Sequence, residues 1–97
     1  LDQHLAKREF ICGDEYTIAD IAIWPWYGGT VLGWQYNAKE FLECESYQNL
    51  TRWAKQLYER EPVKRGRMVN RSRGPEKHIV LERHSADDFE GKTPEPV

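Results

Sequence analysis

Two cysteines, Cys12 and Cys44, are the side chains of this 97-residue sequence best suited to nucleophilic or redox chemistry. A catalytic thiolate needs a nearby cation, base or helix N-terminus. The helix start expected at Thr17 lies five residues after Cys12, and Glu43 and Glu45 flank Cys44, where their carboxylates disfavour the thiolate. We therefore predict no catalytic residue, and we interpret Cys12 as a buried packing residue and Cys44 as an inert thiol. Two thiols so far apart form no disulfide framework, which favours a reducing, cytoplasmic compartment.

Side chains that could bind a metal or an anion occur in the C-terminal part of the sequence. The possible metal ligands are His78, Glu82, His84, Asp87 and Asp88. Their spacing fits neither a helix face nor a zinc finger, so we predict no metal site. Five cations with no acid between them are Lys64, Arg65, Arg67, Arg71 and Arg73. Such a run can bind an anion or nucleic acid, but a solvated face is the preferred interpretation, and a net charge of -2 gives no overall attraction to nucleic acid.

Aromatic side chains are the other possible ligand-binding groups. The sequence has four Trp, five Tyr and three Phe, and such side chains usually need a surface that covers them. Trp24, Trp26 and Tyr27 could form an aromatic box around a ligand. On a buried helix they are more often core residues, which is the preferred interpretation. The two readings are compatible where a core helix also lines a pocket.

The helix that must position these aromatic side chains is expected over residues 18–30. Thr17 can cap its first turn, and Asp20 can reach back to the amide of Thr17, which together make a capping box. Tyr16 and Ile21 are spaced to form a hydrophobic staple. The helix is apolar almost all the way round, which predicts burial on every side. Pro25 predicts a kink or break near residues 21–24.

Weaker helical patterns flank this central element. Residues 1–6 indicate the last turns of an amphipathic helix, and residues 37–42 indicate at most one turn in what we expect to be a loop. An amphipathic helix is predicted from Ser46 to about Glu61, followed by a short helix over 62–69 that starts at a proline. From residue 70 the chain is polar and reads as a tail. The apolar stretch 18–32 is too short and too interrupted for a membrane span.

The sequence of residues 13–22, GDEYTIADIA, resembles the capping box and staple that open the central helix of the glutathione transferase C-terminal domain. Further segments are similar to the bacterial Nu class of that family, which are glutathione-dependent disulfide-bond oxidoreductases. They are residues 23–28, 52–54, 61–67 and 82–89. The resemblance implies an all-α fold, a partial C-terminal helical bundle over 1–69 with an irregular tail over 70–97. Because the sequence begins with Leu1 and shows no signal peptide, we also expect it to be a fragment.

The resemblance also implies where glutathione and its substrates bind. In the family, a thioredoxin-like N-terminal domain absent from this chain holds most of the glutathione, and the subunits form a homodimer. The helical domain lines one wall of the pocket for a small thiol or disulfide, for which Trp24, Tyr27, Arg71 and Arg73 are the candidates here. The cations of residues 64–73 would then bind glutathione carboxylates or form an inter-subunit salt bridge. We expect the chain alone to be inactive.

Two other functions are compatible with the sequence. The first is a non-catalytic helical module for protein interactions, as transferase-like domains serve in some assembly and translation factors. The second is a basic nucleic-acid-binding helix over residues 62–73, whose binding would weaken steeply with salt.

Overall fold

The structure is a computed structural model that describes residues 1–34, 38–69, 71, 74–80 and 83–94. Within these ranges the chain is helical, with no strand beyond one isolated bridge between Phe10 and Gly13, so the predicted all-α fold is confirmed. The α-helices are α1 (Asp2–Leu5), α2 (Ile18–Val31), α3 (Ala38–Phe41), α4 (Gln48–Tyr58) and α5 (Glu61–Met68). Short 3-10 helices cover Cys44–Ser46, Glu76–His78 and Ala86–Phe89.

The chain forms two compact units. Unit 1 is Leu1–Tyr58 and contains α1 to α4, and unit 2 is Glu59–Val97 and contains α5 with the two later 3-10 helices. The predicted domain boundary after residue 69 stays a prediction, because a compact packing unit need not coincide with a family domain. Among the described residues no helix is long and apolar enough to cross a membrane.

The central helix α2 is buried along one stripe and not on every side, so that part of the prediction is wrong. Asp20, Trp24 and Gly28 recur at a spacing of four and face the interior with Val31. On the opposite side Ile18 is 83% exposed and Trp26 is 78% exposed. The sequence pattern shows that a helix lacks a polar face, but it does not show which of its sides are covered by other elements. Here unit 1 covers one side only.

Pro25 lies inside α2 without ending it. The helix is continuous from Ile18 to Val31, so the predicted break near residues 21–24 is not found. Pro25 is exposed, so its ring occupies the uncovered side of the helix and not the packed stripe. The capping box before it and the packing of Trp24 and Gly28 around it stabilise the two halves in helical geometry, which offsets the lost hydrogen bond.

The predicted amphipathic helix is confirmed as α4. Leu50, Trp53, Ala54 and Leu57 are buried at spacings of three and four, and α4 packs against both α1 and α2. The short helix predicted after it is confirmed as α5. The segment expected to be a loop does contain a helical turn, α3, followed by the 3-10 helix Cys44–Ser46.

Two side chains tie the ends of α1 and α4 together. An oxygen of Asp2 accepts a hydrogen bond from the amide of Leu50, in the first turn of α4, at 2.8 Å. Arg52 in turn donates to the carbonyls of Leu5 at 2.9 Å and Arg8 at 2.8 Å, just where α1 ends. An acid at a helix N-terminus and a cation at a helix C-terminus each complement the helix dipole. This pair of contacts sets α1 against the first turns of α4.

Candidate functional site

The buried carboxylate of Asp20 joins the loop before α2 to α4. Its Oδ2 accepts a hydrogen bond from the Thr17 amide at 2.9 Å, and the Thr17 hydroxyl accepts one from the Ala19 amide at 3.3 Å, so the capping box is present. Its Oδ1 accepts hydrogen bonds from the Ile11 amide at 3.0 Å and from Nε1 of Trp53 at 2.8 Å. One side chain therefore fixes the loop, the helix start and the neighbouring helix.

Asp20 is ionised and structural and does not act as an acid or base. Burial alone would raise the pKa of this carboxyl, but the hydrogen bonds from the Ile11 and Thr17 amides and the Trp53 indole outweigh it and lower the pKa. A residue that is 0% exposed and already accepts three hydrogen bonds offers no access to a substrate. Its charge stabilises the fold.

The predicted hydrophobic staple between Tyr16 and Ile21 stays a prediction. The ring of Tyr16 packs edge-on against Phe10, with ring centroids 6.0 Å apart. Ile21 has about half of its surface exposed. The Phe10–Tyr16 pair and the capping box are both present at the entry to α2.

Trp24, a candidate for the pocket wall, is a core residue in this chain. Its indole N–H donates to the carbonyl of Ala54 at 3.0 Å, and its ring stacks on Tyr58 with centroids 6.3 Å apart. The ring also lies directly over Gly28, where a Cβ would come within 2.4 Å of the indole. Only glycine allows this approach, which explains the small residue four positions after the tryptophan.

Tyr27, the second candidate, lines a cleft of about 530 Å³ in unit 1. The cleft is bordered mainly by apolar and aromatic side chains from α1, α2 and the segment before α4. The lining residues are Leu1, Asp2, Gln3, Trp26, Tyr27, Thr30, Val31, Leu42, Cys44, Tyr47 and Leu50. Leu42 and Tyr47 could not be assigned to a site from the sequence, because neither belongs to a binding motif and only the fold brings them beside α2.

None of the residues that line this cleft has a cationic side chain. Glutathione carries two carboxylates, which proteins bind with cations, backbone amides or helix N-termini. The charged side chain among the lining residues is the acid Asp2, and it already accepts from the amide of Leu50. The cleft suits an apolar or aromatic group.

The two cysteines lie in different surroundings. Cys12 is exposed and not buried as expected, whereas Cys44 is 3% exposed, with its sulfur 3.9 Å from the carbonyl of Thr30. Both are free thiols. Within the described ranges no three potential metal ligands converge.

The basic run does not form one solvated face. Nζ of Lys64 lies 3.7 Å from Oε2 of Glu59 and 3.9 Å from Oε1 of Glu61. Arg65 donates to the carbonyl of Ala86 at 3.2 Å and stacks over Phe89. Arg71 is 3% exposed and donates to the carbonyl of Thr93, so it holds the C-terminal segment of unit 2 in place. Arg73, the fourth pocket-wall candidate, lies outside the described residues.

Known proteins resemble this chain over most of its length. It is 57% identical over 93 residues, 96% of the chain, to the disulfide-bond oxidoreductase YghU of Escherichia coli K12. It is 42% identical over 71 residues to an uncharacterised GST-like protein of Streptococcus mutans, which covers 72% of the chain and 27% of that protein. Among solved structures it resembles the glutathione transferase YghU of Streptococcus pneumoniae in complex with glutathione. The TM-score is 0.63 at 53% identity, over 68% of this chain and 26% of that one.

The chain spans about a third of the length of these relatives, 32% for the Escherichia coli protein. The glutathione S-transferase C-terminal domain matches residues 1–61, which contain the capping box, α2 and α4. The match covers more than half of the sequence and agrees with its all-α fold. This chain therefore belongs to the glutathione S-transferase family, within its C-terminal helical domain.

Proposed function

We propose that this chain is the helical part of a glutathione-dependent disulfide-bond oxidoreductase or thiol transferase. The observation that carries the proposal is the 57% identity, over 96% of the chain, to a protein named a disulfide-bond oxidoreductase. The net reaction converts one disulfide and two glutathione thiols into two substrate thiols and one glutathione disulfide. A cytoplasmic location and a homodimer, as in the family, are part of the same proposal.

The residues of this chain support a structural contribution to that reaction and not a chemical one. The cleft beside Tyr27 lacks the cations that would bind glutathione, and the buried carboxylate of Asp20 is saturated with hydrogen bonds. We assign glutathione binding to a thioredoxin-like domain that works together with this chain. The apolar cleft lined by Trp26 and Tyr27 would then form one wall of the substrate pocket.

The uncovered side of α2 is the surface on which we expect that domain to pack. We call Ile18, Ile21 and Trp26 the outer face of α2; all three are more than half exposed. Large apolar side chains that stay exposed on one helix favour a contact surface. The relatives are about three times longer than this chain, so they contain the protein mass that could cover such a face.

A segment exchange tests the proposal. The part of the Escherichia coli protein that corresponds to this chain is replaced by these 97 residues, and glutathione-dependent disulfide reduction is assayed in the chimaera and in the chain alone. We expect an active chimaera and an inactive chain. A folded but inactive chimaera, or a chain that reduces disulfides as fast as the chimaera, would contradict the proposal.

Variants of the outer face distinguish this function from a non-catalytic interaction module. Ile18→Glu should reduce activity and soluble assembly of the chimaera, because it places a charge against the packed domain at a residue that does not line the cleft. Phe41→Glu is the matched control, since Phe41 is 87% exposed on a different helix, α3. If Ile18→Glu leaves the chimaera fully active, the outer face does not contact the glutathione-binding domain, and a module that binds another protein becomes the better interpretation.

A further inference from the structure

His78 occupies an unusual position in unit 2. It is 6% exposed, although it follows a proline-containing polar stretch and belongs to the short 3-10 helix Glu76–His78. Its Nδ1 accepts a hydrogen bond from the amide of Thr93 at 3.2 Å. An imidazole nitrogen can accept from an N–H only while it carries no proton, so this contact requires the neutral ring with its proton on Nε2.

Further contacts hold the same C-terminal segment against the 3-10 helix. Lys92 donates through Nζ to the carbonyls of Lys77 at 2.9 Å and Ile79 at 3.3 Å. The guanidinium of Arg71 donates a hydrogen bond to the carbonyl of Thr93. The backbone carbonyl of Arg71 accepts a hydrogen bond from the amide of Val80 at 3.1 Å. The contacts of Arg71, His78, Lys92 and Thr93 form one arrangement, which we call the clasp. His78 is its titratable acceptor.

Protonation of His78 acts on this arrangement in two ways. The proton on Nδ1 would face the Thr93 amide, donor against donor, and the hydrogen bond would be lost. The new positive charge would also stand among cations, because the charged groups acting on the imidazole, among the described residues, are Lys77, Arg71 and Lys92. Both effects favour separation of the segment that carries Lys92 and Thr93.

We propose that the clasp is a pH-operated switch, closed when His78 is neutral and released when His78 takes up a proton. The inference concerns unit 2 alone and does not depend on the proposed enzyme function. Release would free residues 92–94 from the 3-10 helix while α5 and unit 1 keep their structure. The fold thereby couples the position of its C-terminal segment to the acidity of the surroundings.

The direction of the pH dependence follows from His78. Burial and then the charges of Lys77, Arg71 and Lys92 lower its pKa in the closed clasp. In the open form the pKa returns to about 6.5. The closed clasp is therefore fully stabilised above about pH 6.5 and loses that stability as the pH falls toward the lower pKa of the closed form.

Amide hydrogen exchange of the full chain, resolved by NMR, measures the opening directly. The protection factor of the Thr93 amide, corrected for intrinsic exchange, should fall about tenfold for each pH unit below about 6.5, until the closed form itself takes up a proton. At about pH 7.5 the ¹⁵N shifts of His78 should show a bare Nδ1 and a protonated Nε2. The indole N–H signals of Trp24 and Trp53, buried in unit 1, should persist throughout and report that unit 1 is intact, and the backbone amide signals of α5 should do the same for the helix of unit 2.

Two variants separate the clasp from a general acid effect. His84→Gln removes the other histidine of unit 2 and should keep the full response. His78→Asn should abolish the pH dependence of the Thr93 amide, whether the clasp then stays closed or open. Each of four results would overturn the proposal. In the parent these are a Thr93 protection factor that does not change with pH, or an Nδ1 of His78 that is protonated at about pH 7.5. In the variants they are a pH response that is lost in His84→Gln or retained in His78→Asn.

Discussion

Asp20→Asn should strongly destabilise the protein although it replaces only one oxygen of the side chain by an NH₂ group. If the amide oxygen takes the place of Oδ1, it keeps the contacts to the Ile11 amide and the Trp53 indole, and the amide NH₂ then faces the Thr17 amide, donor against donor. A hydrogen bond to a charged group contributes about 1.5–3 kcal/mol, and a buried donor left unsatisfied costs about 1–3 kcal/mol. The two retained hydrogen bonds also weaken, because their acceptor is no longer charged. We therefore expect the free energy of unfolding to fall by about 3 kcal/mol.

Urea and thermal unfolding of the full chain, followed by circular dichroism, measure this loss. A destabilisation of about 3 kcal/mol corresponds to a fall of about 12–24 °C in Tm for a chain of this size. The matched control is Asp14→Asn, the same chemical change at an exposed residue of the preceding loop, which should lie within about 0.5 kcal/mol of the parent.

The pH dependence of the difference in stability between the parent and Asp20→Asn provides a second measurement. The lowered pKa of Asp20 means that its contribution is complete above the unfolded-chain pKa of about 3.9 and is lost as the pH falls through the lower folded-state pKa. The gap between the parent and Asp20→Asn should therefore close in strong acid. A variant as stable as Asp14→Asn at neutral pH, or a gap that does not change with acidity, would refute the assignment of Asp20 as the charged centre of unit 1.

Two further substitutions test the packing of unit 1 by the same unfolding measurements. Gly28→Ala should destabilise the protein by about 1–3 kcal/mol, because the new Cβ would meet the Trp24 indole. The control is Gly66→Ala, at an open position of α5, which should stabilise the protein by about 0.5–1 kcal/mol. Equal effects at the two glycines would contradict the close approach of the Trp24 ring to Gly28. Arg52→Ala should cost about 1 kcal/mol through the lost hydrogen bonds to the carbonyls that end α1. Lys55→Ala, an exposed position of the same helix, is its control, and Arg52 would be dispensable if both variants matched the parent.

The features that could be predicted from the sequence are those encoded over a few neighbouring residues. The capping box needs only Thr17 and Asp20 at the right spacing, and the helix of residues 48–58 needs only apolar residues at spacings of three and four. A glycine four residues after Trp24 can be recognised in the sequence as a residue that weakens a helix. Its role as the place where the indole lies could not be predicted, because that depends on the rotamer that the fold selects.

Contacts between distant parts of the chain left no readable signal. Trp53 reaches Asp20 across 33 residues, and Arg52 reaches the carbonyl of Leu5 across 47. A tryptophan on an apolar stripe gives no indication of which buried acceptor its N–H will find. The same holds for the clasp, since His78 and Thr93 lie in a stretch whose polar composition predicts only a tail.

The error over α2 shows how the helix serves two surfaces at once. Its buried stripe carries Asp20, Trp24 and Gly28 and builds unit 1, while Ile18 and Trp26 on the other side remain exposed. A helix that needs apolar residues on both sides has no amphipathic pattern. The prediction that α2 is buried on every side was wrong for this reason. If the outer face binds a second domain, substitutions there should leave unfolding of this chain unchanged and affect only the chimaera. Substitutions on the buried stripe should affect both, because the stripe stabilises the fold before any partner can bind to it.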